Sequence, residues 1–423
     1  MDAMVVTGGR RLKGRVRAGG AKNAALPIMA AALLADGPVR LQNVPDLVDI
    51  RTMMRLLREL GMRVEREEKS GAIRLENVAP SKIVAPYKIM RTMRAGICVL
   101  GPLVARRGKA EVSLPGGCAI GDRPVDLHMK GLKALGAKLD VRHGYIFSSC
   151  KRLRGTEMYM GGPFGSTVTG TANILMAAVL AKGTTVIECA ACEPEVQDLA
   201  RMLVKMGAHI QGIGSPRLVI EGVDHLSGAE HTIIPDRIEA GTLLVAGAAT
   251  GGDVTIEGAR WNDLFALVHK LREAGAEVEH FDDTIHVRAR HRLRAVDVTT
   301  LPFPGFPTDL QAQFMAMLTV ADGISVVTEK IYPDRFMHVA ELNRMGAAIR
   351  KEGNTAVVHG VRRLSGAPVM ASDLRASAAL IIAGLVAEGK TTISRIYHLD
   401  RGYEKIEEKL RRLGGQIRRI KES

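Results

Sequence analysis

The stretch Met206-Gly207-Ala208 closes an apolar helical pattern and opens an extended one, and it recurs along the whole chain. A glycine directly after the last helical turn adopts the left-handed backbone conformation that ends a helix. The glycines of successive copies are 75, 71, 68, 71 and 68 residues apart. The six copies are Leu60-Gly61-Met62, Leu135-Gly136-Ala137, Met206-Gly207-Ala208, Ala274-Gly275-Ala276, Met345-Gly346-Ala347 and Leu413-Gly414-Gly415.

A second sequence motif alternates with this one. It is an alanine-rich apolar helix that ends near a glycine and is followed by β-branched residues typical of a strand. Residues 28–34 and 376–386 are apolar on nearly every side, as buried helices are. Because one core rarely exceeds about 250–300 residues, we expect an α/β fold of α+β repeats: two similar domains, each of three units with buried helices beneath sheets. A solenoid is the alternative, but its repeats usually span about 20–50 residues.

Composition limits the functional classes. Of the 423 residues, 46% are hydrophobic and 25% charged, as in a globular protein. No apolar run reaches the roughly 18 residues of a membrane span and no secretory leader pattern opens the chain, so we expect a cytoplasmic protein without membrane contact. The net charge of +14 fits nucleic acid or small anions. Aromatic residues, at 4%, are scarce for base stacking, which favours small anions.

The five cysteines are too few for a disulfide framework. Cys189 and Cys192 form a CxxC, which without a second pair is a weak zinc signal. The interpretation we favour is two reduced thiols at the end of a strand.

Two glycine-rich segments are flanked by basic residues. Residues 19–27 lead into an apolar helix, whose N-terminus together with Lys22 would suit a phosphate or carboxylate. Residues 113–124 are predicted to form a strand end and a long loop that exposes Cys118 among glycines, and Arg123 nearby would lower the pKa of the thiol. A solvated lysine and a chance loop cysteine are the alternatives.

Further candidates lie in polar or small-residue turns. Asp309 follows Phe306-Pro307-Thr308 and precedes an apolar helix, so an N-cap is one interpretation. For each arginine alone, a structural ion pair is the interpretation that the local sequence favours. These arginines are Arg94, Arg335, Arg375 and Arg401.

Taken together, these motifs resemble the UDP-N-acetylglucosamine 1-carboxyvinyltransferases, the enolpyruvyl transferase family of the first committed step of peptidoglycan synthesis. The resemblance covers essentially the whole chain. It is carried by Gly20-Ala21-Lys22-Asn23-Ala24, Met93-Arg94-Ala95, Leu114-Pro115-Gly116-Gly117-Cys118, Arg123-Pro124-Val125-Asp126-Leu127-His128, Pro235-Asp236-Arg237-Ile238-Glu239, Phe306-Pro307-Thr308-Asp309, Arg335-Phe336, Asp373-Leu374-Arg375-Ala376 and Asp400-Arg401-Gly402-Tyr403-Glu404.

The resemblance implies the inside-out barrel of enolpyruvyl transferases. Residues 22–234 would form the first domain, which carries the Cys118 lid loop, and residues 1–21 with 235–423 the second. The active site would lie in a cleft that closes when the sugar nucleotide binds.

The implied reaction transfers the enolpyruvyl group of phosphoenolpyruvate to the 3′-hydroxyl of UDP-N-acetylglucosamine and releases phosphate. Cys118 would be the acid and a transient nucleophile, and the antibiotic fosfomycin would alkylate it. Asp309 would act on the sugar hydroxyl as a base or as an orienting group. The resemblance implies no metal and no cofactor, because arginines supply the positive field.

The remaining implied site residues are substrate contacts. Lys22, Arg123 and Arg401 would hold phosphoenolpyruvate, with Lys22 and Arg401 also serving catalysis, and Asn23 would touch the reacting groups. Arg335 and Arg375 would be supporting cations. The sugar-nucleotide shell would consist of Arg94, Pro124, Val125, Asp126, Leu127 and Ile331.

One segment departs from the family pattern. Residues 161–171 are longer by about two residues than the corresponding Ser-Val-Gly-Ala-Thr segment and contain no lysine. Thr167 and Val168 are the predicted diphosphate-side residues.

Three other functions remain open. The shikimate-pathway enolpyruvyl transferase shares the architecture but lacks the Pro-Gly-Gly-Cys loop. A non-catalytic sugar-nucleotide-binding paralogue would fit the altered segment, and a nucleic-acid binder would fit only the charge. The sequence does not indicate an oligomeric state.

Overall fold

The computed structural model describes residues 2–116 and 125–421, and within these ranges the chain forms 26 strands and 13 α-helices. The strands are β1 Asp2–Thr7, β2 Lys13–Arg17, β3 Val39–Gln42, β4 Met62–Arg66, β5 Ile73–Asn77, β6 Val84–Ala85, β7 Lys109–Ser113, β8 Lys138–Arg142, β9 Tyr145–Ser149, β10 Glu157–Tyr159, β11 Gly161–Gly162, β12 Gly165–Ser166, β13 Thr184–Glu188, β14 His209–Gln211, β15 Arg217–Glu221, β16 Glu230–Thr232, β17 Asp253–Glu257, β18 Glu277–Phe281, β19 Thr284–Arg288, β20 Val298–Thr299, β21 Ile324–Thr328, β22 Ala348–Glu352, β23 Thr355–His359, β24 Pro368–Met370, β25 Lys390–Ser394 and β26 Gln416–Lys421.

The α-helices are α1 Lys22–Ala31, α2 Val48–Glu59, α3 Tyr87–Met90, α4 Leu100–Arg107, α5 Asp126–Ala134, α6 Val168–Ala178, α7 Pro194–Lys205, α8 Arg237–Ala249, α9 Trp261–Glu273, α10 Gln311–Leu318, α11 His338–Arg344, α12 Leu374–Val386 and α13 Ile406–Arg412. Short 3-10 helices cover Ala32–Leu34, Arg94–Val99, Thr308–Leu310 and Ile396–Arg401.

The described residues fall into two compact units. Residues 20–116 and 125–234 form one, called here the Lys22 unit, and residues 2–19 and 235–421 form the other, called the Asp309 unit. Each unit has its own apolar core.

Six four-stranded sheets, three in each unit, repeat one topology. In every sheet the first strand is parallel to the second, and the remaining neighbours are antiparallel. The sheets of the Lys22 unit are β16-β3-β5-β4, β6-β7-β9-β8 and β10-β13-β15-β14. Those of the Asp309 unit are β2-β17-β19-β18, β20-β21-β23-β22 and β24-β25-β1-β26. The predicted fold class of repeated units is confirmed.

Buried helices lie at the centre of each unit. In the Asp309 unit α8, α10 and α12 pack against one another, and all eight residues of α10 are buried. In the Lys22 unit α6 packs against α1 and α4. Helices of this kind stabilise the folded state by burying apolar side chains, with about 1.5–3 kcal/mol of free energy for each fully buried large apolar side chain.

The glycines that end helices in the first repeated motif adopt the predicted left-handed conformation. Their φ angles lie between 82° and 108°. At Gly61 the chain also passes close to a neighbour, because a Cβ there would lie 2.2 Å from the Ala79 carbonyl oxygen. The glycines are Gly61, Gly136, Gly207, Gly275, Gly346 and Gly414.

Candidate functional site

The predicted site residues are divided between the two units, and three of them lie outside the described residues. Those three are Cys118, Arg123 and Pro124. The Lys22 unit holds Lys22, Asn23, Arg94, Val125, Asp126, Leu127, Thr167 and Val168. The Asp309 unit holds Asp309, Ile331, Arg335, Arg375 and Arg401.

Asp309 is held between two arginines that are distant in sequence. Its Oδ1 lies 2.8 Å from Nη2 of Arg335, and its Oδ2 lies 2.8 Å from Nη2 of Arg375. Both guanidinium groups are buried, at 5% and 3% exposure, whereas 27% of the Asp309 side chain remains accessible. The structure therefore brings together three residues that the sequence could only propose singly.

The charge of this cluster fixes the state of Asp309. Burial alone would raise the pKa of the carboxyl group, but Arg375 and Arg335 together hold the pKa well below its ordinary value. The carboxylate is therefore ionised near neutral pH and can accept a hydrogen bond from a further donor through its exposed edge.

The N-cap interpretation of Asp309 is wrong. Asp309 lies in the 3-10 helix Thr308–Leu310, and the N-cap of α10 is Leu310, which provides no side-chain cap. The Asp309 side chain is instead engaged by the arginines, and only its main-chain carbonyl takes part locally, by accepting a 2.8 Å hydrogen bond from Gln313 Nε2.

A tyrosine that was not predicted orients Arg375. The Tyr403 hydroxyl accepts from Arg375 Nη1 at 3.1 Å and from Gln313 Nε2 at 3.0 Å. It also lies 2.9 Å from the Thr242 hydroxyl. Tyr403 is 2% exposed, and it is part of the Asp400–Glu404 motif that carried the resemblance, so the sequence offered a signal for it.

Arg401 ends the 3-10 helix Ile396–Arg401 and is half-buried. The chain continues through Gly402, where a Cβ would lie 2.6 Å from Leu374 Cδ2. This close packing fixes the backbone that joins Arg401 to Tyr403.

Lys22 begins α1 and is buried. Its Nζ lies 3.0 Å from Oδ2 of Asp49 in the first turn of α2, and this partner was not predicted. The next residue, Asn23, is exposed. The α1 terminus thus places a lysine, an amide side chain and main-chain N–H groups in one place, which is a suitable setting for an anion.

Arg94 is half-buried at the start of the 3-10 helix Arg94–Val99. Burial, followed by the positive charge of Arg94, lowers the pKa of His128 to about 4. Neutral His128 is held at Nδ1 by Asn173 at 2.9 Å and at Nε2 by Thr169 at 3.3 Å. His128 belongs to the Arg123–His128 motif, but the motif by itself indicates no role for this residue.

The segment that departs from the family pattern forms a β-hairpin. Strands β11 and β12 pair Gly161 with Ser166 and Gly162 with Gly165. A Cβ at Gly162 would lie 3.2 Å from Leu127 Cδ1, so the hairpin lies directly beside that predicted contact.

Thr167 follows the hairpin and caps α6, because its hydroxyl accepts from Gly170 N at 3.2 Å. Val168 is 38% exposed. Val125 is buried, Leu127 half-buried and Asp126 exposed.

Within residues 2–116 and 125–421, no group of three or more His, Cys, Asp or Glu side chains is arranged to hold a metal ion. No helix in those ranges has the length and apolar character needed to cross a bilayer. Cys189 and Cys192 are free thiols.

Comparison with known proteins gave one family and several similar structures. The family model described as EPSP synthase (3-phosphoshikimate 1-carboxyvinyltransferase) matches residues 6–410. The crystal structure of the enolpyruvyl transferase NikO from Streptomyces tendae is 25% identical, covers 99% of this chain and 98% of its own, and has a TM-score of 0.88.

Two structures of EPSP synthase from Acinetobacter baumannii are each 18% identical to this chain. One covers 99% of this chain and 100% of its own, with a TM-score of 0.78; the other covers 100% of both, with a TM-score of 0.77. At this identity the likeness concerns the fold alone.

Proposed function

We propose an acceptor for a chain that belongs to the EPSP synthase (3-phosphoshikimate 1-carboxyvinyltransferase) family. Proteins of this family are enolpyruvyl transferases, so the chain transfers the enolpyruvyl group of phosphoenolpyruvate to an acceptor. The acceptor that we propose is the 3′-hydroxyl of UDP-N-acetylglucosamine, which would make the product a precursor of peptidoglycan.

The observation that carries this acceptor is the loop sequence Leu114-Pro115-Gly116-Gly117-Cys118. A thiol in this loop is typical of the peptidoglycan enzymes and is lacking in the shikimate enzymes. Strand β7 ends at Ser113, and the loop begins with Leu114 N donating to Gly144 O at 2.8 Å. The family model's own description favours the second candidate acceptor, 3-phosphoshikimate.

The proposed reaction is an addition followed by an elimination. Cys118 delivers a proton to the methylene carbon of phosphoenolpyruvate while the acceptor oxygen bonds to its central carbon and passes its hydroxyl proton to the phosphate group. The intermediate then loses phosphate from the central carbon and returns a proton from the new methyl group to the Cys118 thiolate, which restores the double bond. Lys22, Arg123 and Arg401 would bind the phosphate and carboxylate groups.

The cluster around Asp309 supports an orienting role for this carboxylate. A general base is most efficient when its pKa lies near the working pH, and the two arginines hold the pKa of Asp309 far below that. Its accessible edge can nevertheless accept a hydrogen bond from the acceptor hydroxyl and direct the oxygen lone pair towards phosphoenolpyruvate.

The test is phosphate release by the purified full-length chain with phosphoenolpyruvate. Three parallel reactions contain UDP-N-acetylglucosamine, 3-phosphoshikimate or no acceptor. We expect phosphate only with UDP-N-acetylglucosamine. Release with 3-phosphoshikimate alone would establish the second candidate and overturn ours.

Fosfomycin provides an independent test of the loop thiol. We expect one alkylation per chain by intact mass in the wild type and in Cys150→Ser, a control at a half-buried free thiol. Cys118→Ser should remain unlabelled and inactive. Labelling of Cys118→Ser would show that the reactive thiol lies elsewhere.

A further inference from the structure

Glu329 is a fully buried carboxylate at the end of β21, with 0% exposure. Its Oε1 accepts hydrogen bonds from Thr300 Oγ1 at 2.6 Å, Ile331 N at 2.8 Å and Tyr332 N at 3.0 Å. Its Oε2 accepts from Thr308 Oγ1 at 2.9 Å. Within residues 2–116 and 125–421 no Lys, Arg or His side chain forms an ion pair with it, so neutral donors alone hold the buried carboxyl group.

The hydrogen bonds that lead from this carboxylate to Asp309 have only one possible direction. Arg335 Nη1 donates to Thr308 Oγ1 at 2.9 Å, and a guanidinium group cannot accept. The Thr308 hydroxyl must therefore donate its single proton to Glu329. The other terminal nitrogen of Arg335 contacts Asp309 at 2.8 Å.

Apart from its contact with Asp309, the guanidinium group of Arg335 makes one hydrogen bond in the described part of the chain, the one to the Thr308 hydroxyl. Its Nε is buried and has no hydrogen-bond partner among the described residues. Its guanidinium carbon lies 5.8 Å from the centre of the Tyr332 ring. The Thr308 contact thus fixes the rotation of the guanidinium plane that meets Asp309.

The same carboxylate joins two segments that contain Asp309 and Ile331, the two residues of this unit proposed above to lie beside the acceptor. One segment runs from Thr300 to Asp309, and the other contains Ile331, whose main-chain N–H is bound to Oε1 of Glu329. An uncharged side chain could fill the same space, but only a carboxylate accepts from all four donors at once.

We propose that Glu329 is a positioning residue for the acceptor. Through Oε2 and the Thr308 hydroxyl it orients Arg335 against Asp309. Through Oε1 it fixes the main chain at Ile331. This inference rests on the proposed role of Asp309 at the acceptor hydroxyl. Glu329 would act on the position of the acceptor oxygen through Thr308, Arg335 and Asp309, without itself bonding to the acceptor.

The central experiment compares Thr308→Val, which removes the hydroxyl at nearly constant volume, with Thr308→Ser, which keeps it. We expect kcat to fall about 10-fold to 100-fold in Thr308→Val, because small misplacements of a reacting group have effects of this size. Thr308→Ser should retain kcat within about threefold, and KM for phosphoenolpyruvate should hardly change in either. Glu329→Gln should resemble Thr308→Val.

The matched control is Thr328→Val. Thr328 immediately precedes Glu329, and its hydroxyl lies 3.4 Å from that of Thr355, outside the chain of contacts to Asp309. We expect wild-type kcat. A Thr308→Val enzyme with wild-type kcat, or a Thr308→Ser enzyme as slow as Thr308→Val, would overturn the proposal.

The failure of this inference can be separated from the failure of the proposed acceptor. If wild-type protein releases phosphate with 3-phosphoshikimate instead, the same variants are compared with that substrate. A crystal structure of Thr308→Val requires no acceptor at all: we expect the Arg335 guanidinium group to turn away from Asp309 Oδ1. A retained separation near 2.8 Å would contradict the positioning role.

Discussion

Helices α10 and α12 occupy the same place in neighbouring repeats, yet they begin differently. Each precedes the second strand of its sheet, β21 or β25, and an aspartate lies just before each helix. Asp373 caps α12 by accepting from Arg375 N at 2.8 Å and Ala376 N at 3.1 Å. Asp309 provides no cap to α10 and binds two guanidinium groups instead.

The difference shows how a repeated fold acquires a site. At α12 the aspartate satisfies main-chain donors that the helix leaves unpaired, which is a local contribution to stability. At α10 the equivalent carboxylate contacts two guanidinium groups instead of main-chain donors. One of these groups belongs to Arg375, in the first turn of α12. One repeat therefore supplies one of the two cations that hold the carboxylate of its neighbour.

The first prediction concerns the charge that Asp309 carries just before α10. Asp309→Asn keeps the shape of the side chain but removes the charge between Arg335 and Arg375. We expect kcat to fall at least about 100-fold, while UDP-N-acetylglucosamine still binds. Steady-state kinetics and calorimetric titration measure the two quantities, and unchanged turnover would remove Asp309 from the mechanism.

The second prediction concerns the link between the two helices. Tyr403→Phe deletes the hydroxyl that joins Arg375 to Gln313 and Thr242. Because the donors left behind are buried, the free energy of unfolding should fall by about 1–3 kcal/mol. Urea denaturation measures this value. Tyr397→Phe, at a tyrosine that is 50% exposed, is the control and should leave stability unchanged.

The third prediction uses pH. The folded-state pKa of Asp309 is depressed, so its stabilising contribution is fully present above its ordinary pKa of about 3.9 and is lost as the pH falls below that value. The difference in unfolding free energy between wild type and Asp309→Asn should be flat from pH 7 to pH 5. Below about pH 3.9 it should shrink by up to about 1.4 kcal/mol per pH unit; a flat difference down to pH 3 would contradict the ion-pair account.

The fourth prediction concerns the cap that Asp373 provides to α12. Asp373→Ala removes the α12 cap and should cost about 1 kcal/mol of stability, whereas Asp373→Asn, which can still cap, should cost much less. Thermal unfolding distinguishes the two variants. If both are equally destabilised, the contribution of Asp373 does not arise from capping.

Most of the fold could be predicted because its signals are local. Gly207 and its counterparts end helices through their own backbone preference, and the apolar faces of helices such as α10 are visible in a few turns of sequence. The pairing of β1 with β25 and β26 could not be predicted from local patterns, because nearly the whole chain separates these strands.

The candidate site could be predicted only as a set of residues. The resemblance named Asp309, Arg335 and Arg375 but not their mutual contacts. It passed over Asp49 as the partner of Lys22, and it gave Glu329 no role, because an isolated acidic residue in a strand-end sequence carries no signal of burial.

Local sequence patterns predict the six repeated units and the points where their helices end, since helix periodicity and glycine conformation are properties of short segments. The motifs that carry the resemblance to a reaction family are likewise short segments. Which aspartate is a cap and which belongs to a charged cluster depends on contacts between distant segments. Arg375 is 66 residues from Asp309 along the chain, and only the packing of α10 against α12 brings their charges within 2.8 Å.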